Sequence, residues 1–78
     1  MAHTLDPSMS RHRILEELLS AEQEAHDLLE QAARLTPDPS ERELYRSLAA
    51  SEEVNLRALA EEEDRLAAER FVEEALDV

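Results

Sequence analysis

Four side chains in this sequence offer metal-ligating atoms at positions where a helix is otherwise hydrocarbon: Glu22, His26, Glu52 and Asn55. On a wheel of about 100° per residue, Glu22 falls between Leu29 and Leu15, with Leu18 and Leu19 in the turn before. His26, one turn later, lies nearer the edge of that arc. Glu52 is flanked by Leu48, Leu56 and Leu59; Asn55 lies beside Leu48 and Leu44, and Glu53 points away. A carboxylate in an apolar face is costly unless it is paired, and two facing one another are costlier still. A bound cation removes that cost. Oxygen-rich donor sets suit iron, manganese, magnesium or calcium.

Plainer roles are available to each residue. Glu22 and Glu52 fit as interface glutamates that pair with arginine or reach water. Asn55 fits as a polar residue that sets helix register. His26 reads as an edge residue, as support for Glu22 at i,i+4, or as a substitute imidazole ligand. His3 and His12 read as solvated. Glu63 reads as a partner for Arg70 near the open end, and the run Glu61 to Asp64 as a solvated face.

The elements that must position these groups are two helices. Ile14, Leu18, Ala21, Ala25, Leu28, Ala32 and Leu35 recur at spacings of 4,3,4,3,4,3, an unbroken heptad row. Leu15, Leu19, Leu29 and Ala33 make a second row beside it, widening the face to what a bundle buries. Asp6, Ser8 and Ser10 offer N-caps, which places the start of helix one near Ser8. Thr36-Pro37-Asp38-Pro39-Ser40 stops it and starts the next, with Asp38 and Glu41, or Ser40 and Glu43, as a capping box. So short a connection makes the helices antiparallel neighbours. Helix two carries Leu44, Tyr45, Leu48, Ala49, Leu56, Leu59 and Leu66 on one face. Phe71, Val72, Ala75 and Leu76 then point roughly opposite, as a bent third segment or a second assembly contact. The expected organisation is a disordered tail over 1–7, a hairpin over 8–66 and a C-terminal helical extension over 67–78.

Level matters as much as face. Glu22 lies 13 residues before Leu35, and Glu52 lies 13 residues after Pro39. At about 1.5 Å per residue, both stand about 20 Å from the loop, so they should face one another. If a two-fold axis passes near that level, a dimer gathers four carboxylates in one core, enough to balance two divalent cations.

Composition narrows the rest. Seventy-eight residues make one domain at most, with a marginal core that needs a partner or a metal. Cysteine is absent, which excludes disulfides and thiolate sites. Glycine is absent too, so no glycine-rich phosphate loop exists. A net charge of −12 repels nucleic acid and anionic lipid and gathers cations. Tyr45 and Phe71 are the only aromatics, too few to stack bases. No apolar run approaches the ~20 residues of a membrane span, and Met1 to Ser10 lacks the apolar core of a signal peptide. A cytoplasmic protein is the expectation.

The stretch from Ala21 to Ala33, AEQEAHDLLEQAA, resembles the first metal-bearing helix of rubrerythrins and ferritin-like proteins. Glu43 to Leu56, ELYRSLAASEEVNL, resembles the second, whose hallmark is Glu-x-x-His. The likeness covers about residues 14 to 66 and comes nearest the encapsulated-ferritin type, a two-helix half-bundle that dimerises around a di-iron ferroxidase site. The resemblance implies Glu22 as the first-helix ligand and Glu52 as the glutamate of the second-helix motif. Asn55 stands where the family has histidine, and Leu29 where it has an aromatic. Asparagine is the poorer iron ligand, which favours weaker binding, a harder ion such as manganese or calcium, or a vestigial site. Phe71 to Val78 does not resemble an encapsulin-loading peptide.

The expected fold is thus all-α: an antiparallel hairpin that dimerises into a four-helix bundle. The expected function is binding of iron, with ferroxidase-type oxidation if the site is active. The alternative is a metal-free helical dimerisation module. A third reading, an acidic mimic of nucleic acid, rests on charge alone.

Overall fold

Two prolines and a few short polar side chains decide where the helices begin and end. The computed structural model describes residues 3–76. Met1 and Ala2 of the expected tail, and Asp77 and Val78 of the expected extension, lie outside the described residues. Helix α1 spans Arg11–Leu35 and helix α2 spans Pro39–Leu76. No strand occurs among the described residues. The chain is an all-α antiparallel hairpin.

Helix α1 starts at Arg11 rather than near Ser8 because Asp6 ties the preceding residues into a turn. Its Oδ1 accepts from the Ser8 amide at 2.8 Å and the Ser8 hydroxyl at 2.7 Å. Its carbonyl accepts from the Met9 amide at 3.0 Å. Ser10 is then the first residue free to cap, and its Oγ accepts from the Arg13 amide at 3.1 Å. At the far end Thr36 is extended, at φ −72° and ψ 135°, as a residue before proline must be. Asp38 caps α2 by accepting from the Ser40 amide at 2.9 Å, with Pro39 at the first helical position. Glu41 does not close a capping box. It accepts from the Thr36 hydroxyl at 2.7 Å and so ties the loop to α2.

Residues 3–10 do not form a free tail. His3 lies 3.2 Å from Glu17 Oε2 through Nδ1 and 2.9 Å from Glu24 Oε2 through Nε2, laying the segment along α1. This differs from the solvated histidine expected there.

Leu15 and Ala33 are the buried residues of α1 and Ala49 that of α2, and they fix which faces meet. On α1 the interface row is Leu15, Leu19, Glu22, His26, Leu29 and Ala33, spaced 4,3,4,3,4. On α2 it is Tyr45, Ala49, Glu52, Leu56, Leu59, Glu63 and Leu66, spaced 4,3,4,3,4,3. The all-apolar row from Ile14 to Leu35 is therefore not the hairpin seam. It lies beside the seam, and Leu18, Leu28 and Leu35 are exposed. Leu44 and Leu48, expected on the buried face of helix two, are exposed as well. The sequence offers two adjacent apolar rows, and a pair of helices covers only one of them.

The Cα envelope measures 61 × 22 × 13 Å, a single layer about one helix thick. Helix α2 runs uninterrupted to Leu76, so no bent third segment forms. With 38 residues against 25, it outruns α1 by about 20 Å. Phe71, Val72 and Leu76 are exposed on that overhang. No helix is long and apolar enough to cross a membrane among the described residues.

Candidate metal centre

Glu22 and Glu52 both occupy the interface row, as the wheel placed them, and both are partly buried. Glu22 Oε2, Glu52 Oε2 and His26 Nδ1 are shut off from solvent and make no hydrogen bond, with the Asp27 carboxylate 3.6 Å from His26 Nδ1. No other buried side-chain polar atom among the described residues is left this way. Buried polar atoms ordinarily find a partner, so three orphans on the two facing interface rows mark the place where the hairpin is chemically incomplete.

The side chains do not all converge. Every helical side chain leans toward the N-terminus of its own helix. In an antiparallel pair those directions oppose, so Glu22 and Glu52 start level and lean apart. His26 starts one turn nearer the loop and leans up to meet α2. There its Nε2 lies 3.1 Å from Glu53 Oε1 and 3.6 Å from Glu30 Oε1. His26, Glu30 and Glu53 offer ligand atoms within 4.8 Å of one another, the one such group of three among the described residues. Glu22 and Glu52 are not part of it.

On the wheel Glu53 points away from the interface. Its side chain is 57% exposed, yet it is the residue that ties the helices together through His26, which is 12% exposed. The wheel gives the direction of Cβ and takes no account of four-atom reach or of lean. The signal that could have found it is the level: His26 and Glu53 each lean into the same turn. Asn55 is exposed on the side of α2 away from Glu53 and adds no donor to the group.

The acidic surroundings favour the protonated forms of His26 and His3. The Glu53 carboxylate raises the His26 pKa above its usual value, helped by Asp27 and Glu30 and opposed by burial. His3 is raised by its contacts with Glu24 and Glu17. Only an imidazolium donates from both nitrogens, as the His3 geometry requires. His12 lies 2.9 Å from Glu16 at i,i+4. Arg65 pairs with Glu62 and Glu69, which lowers the Glu62 pKa. Among the described residues no ion pair joins Glu63 to Arg70: seven residues apart on α2, they share a face but stand two turns, about 10 Å, from one another.

Glu22, Glu52 and His26 each present one unpartnered buried atom, two carboxylate oxygens and an imidazole nitrogen in all, which do not converge within 4.8 Å of one another. Such a set suits iron or manganese better than calcium, which takes oxygen alone. No family model, no curated protein and no solved structure matches this chain.

Proposed function

We propose that this chain is a ferritin-like metal-binding hairpin, holding divalent cations with Glu22, Glu52 and His26 and self-associating into a four-helix bundle around them. The observation that carries the reading is the trio of buried, unpartnered atoms on those three residues. A cation on this row would give these atoms partners; their ligand atoms do not lie within 4.8 Å of one another, so the side chains must turn to meet it. Iron is the metal favoured by the sequence likeness and by the mixed oxygen and nitrogen donors, with manganese as the nearest substitute.

Bound iron supplies one-electron redox chemistry that carboxylates and imidazole lack, and iron(II) with oxygen or peroxide as electron acceptor is the reaction it suits. The chain's own part is narrower. Glu22 and Glu52 supply the negative charge, and His26 supplies a nitrogen in place of the histidine that Asn55 replaces. Glu53 and Glu30 hold the His26 ring by Nε2, which leaves Nδ1, once a metal displaces its proton to solvent, as the ligating atom. The surrounding charge of −12 gathers cations in the cytoplasm.

Anaerobic titration with iron(II), followed by metal analysis, tests the reading. Stoichiometric binding that is lost in both Glu52→Ala and His26→Ala supports it. Binding that persists in both variants, or none in the parent chain, rejects it. In the second case the exposed leucines Leu28, Leu35 and Leu44 leave the metal-free association module as the better reading.

A further inference from the structure

We infer that the uncovered side of the hairpin is the seat of a second copy of this chain, laid across it with loops at opposite ends and a two-fold axis near Ser51. The row from Ile14 to Leu35 lies about 110° to one side of the α1 interface row, and Leu44, Leu48, Ser51, Asn55 and Ala58 lie about 100° to the same side on α2. Because the helices are antiparallel, both displacements turn toward one face of the layer. The His26, Glu30 and Glu53 group lies toward the other.

The two rows that make up that face carry no charge from the loop to Ala58, in a chain with 36% charged residues, and Glu17 stands at the outer edge in line with Leu35. The hydroxyl at its middle is turned inward: Ser51 Oγ donates to the Ser47 carbonyl at 3.3 Å. Its large side chains are open, with Leu28, Leu35, Leu44 and Leu48 between 43% and 75% exposed.

Area says how much is missing. The chain exposes 6079 Å². A folded monomer of 8.9 kDa is expected to expose about 4,800 Å². The excess of about 1,300 Å² per chain is the burial typical of an obligate dimer, which loses more than about 1,000 Å² on each side. A face without charge asks for a partner face without charge, and the same chain supplies one of equal length.

Position and charge decide the arrangement. The charge-free strip runs from the loop to about 31 Å along the hairpin, so its middle lies about 16 Å out, beside Ala25 and Ser51. Glu22 and Glu52 lie about 20 Å out, within one helical turn of that middle. The strip locates the axis without using the carboxylates, and the axis nonetheless falls at their level. Loops at opposite ends also part the two overhangs. Residues 61–76 hold seven acids against two arginines, and loops at the same end would set these segments side by side.

Docking stands on its own observations. That the dimer also completes the cation site, by bringing each Glu22 near the partner's carboxylates, rests on the function proposed above. The two are separated by working in EDTA. Sedimentation should show a metal-free dimer. Ala25→Glu and Leu48→Glu should shift it to monomer mass, while Val54→Glu on the far face of α2 should not. Because both chains are strongly acidic, association should tighten with added salt. The chain has no cysteine, so single cysteines report geometry even if a charged variant unfolds. Oxidative cross-linking should peak at Ser51→Cys, fall at Leu48→Cys and Asn55→Cys, and vanish at Leu44→Cys. A monomer at all salt concentrations overturns the inference. So does a dimer that cross-links at Leu44→Cys but not at Ser51→Cys. A dimer in EDTA that binds no iron leaves the docking intact and rejects the metal reading.

Discussion

Replacing both interface glutamates with leucine separates the stability of this fold from its chemistry. In Glu22→Leu plus Glu52→Leu, two buried oxygens that meet no hydrogen-bonding group disappear. Each such atom costs about 1–3 kcal/mol, and the low end applies because both residues are only partly buried. Partial burial of each new leucine adds about 1 kcal/mol, roughly half the value for a fully buried side chain. The double variant should therefore gain about 4 kcal/mol in EDTA. For a domain of this size 1 kcal/mol moves Tm by about 4–8 °C, so the midpoint should rise by more than ~10 °C. Addition of iron(II) or manganese(II) at about a hundred times Kd should stabilise the parent chain by about 2.7 kcal/mol and leave the variant unmoved, closing most of the gap. The assay is thermal unfolding followed by circular dichroism at one fixed chain concentration, since association shifts Tm by itself. If the variant melts below the parent in EDTA, the glutamates are already satisfied in the apo protein. The orphan argument then fails, and the cation site with it.

The His26 pKa is raised in the folded chain by Glu53, so its contribution to stability is fully present below about 6.5 and is lost as pH rises through the raised value. His26→Gln should remove that fall above pH 6.5, and Glu53→Gln should lower the His26 pKa read from its ring proton shifts by NMR. Ser10→Ala removes the cap on the Arg13 amide and should cost about 1 kcal/mol in denaturant unfolding, with fraying confined to the first turn of α1 by hydrogen exchange.

What the residues settle by themselves is local. Absent glycine, a proline on either side of Asp38, and two apolar patterns of helical period leave little but a hairpin, and its loop and cap residues can be read directly. Glu22 and Glu52 can be placed in the interface rows because a wheel needs only their spacing from Leu15, Leu29 and Leu56. Which of two apolar rows on α1 meets α2 is different. Ile14 to Leu35 is the cleaner heptad, yet the row with Glu22 and His26 is the one covered. Each row pairs equally well with a helix in isolation, and only the packed pair selects between them. Reach is likewise tertiary. Glu53 looks outward on the wheel and meets His26 at 3.1 Å because antiparallel helices aim their side chains in opposite directions along the axis. The same opposition parts Glu22 from Glu52, whose matching levels were evident from counting. Spacing along one chain fixes angle and height on one cylinder; where two cylinders touch, and how far side chains lean across the gap, follows from the fold alone.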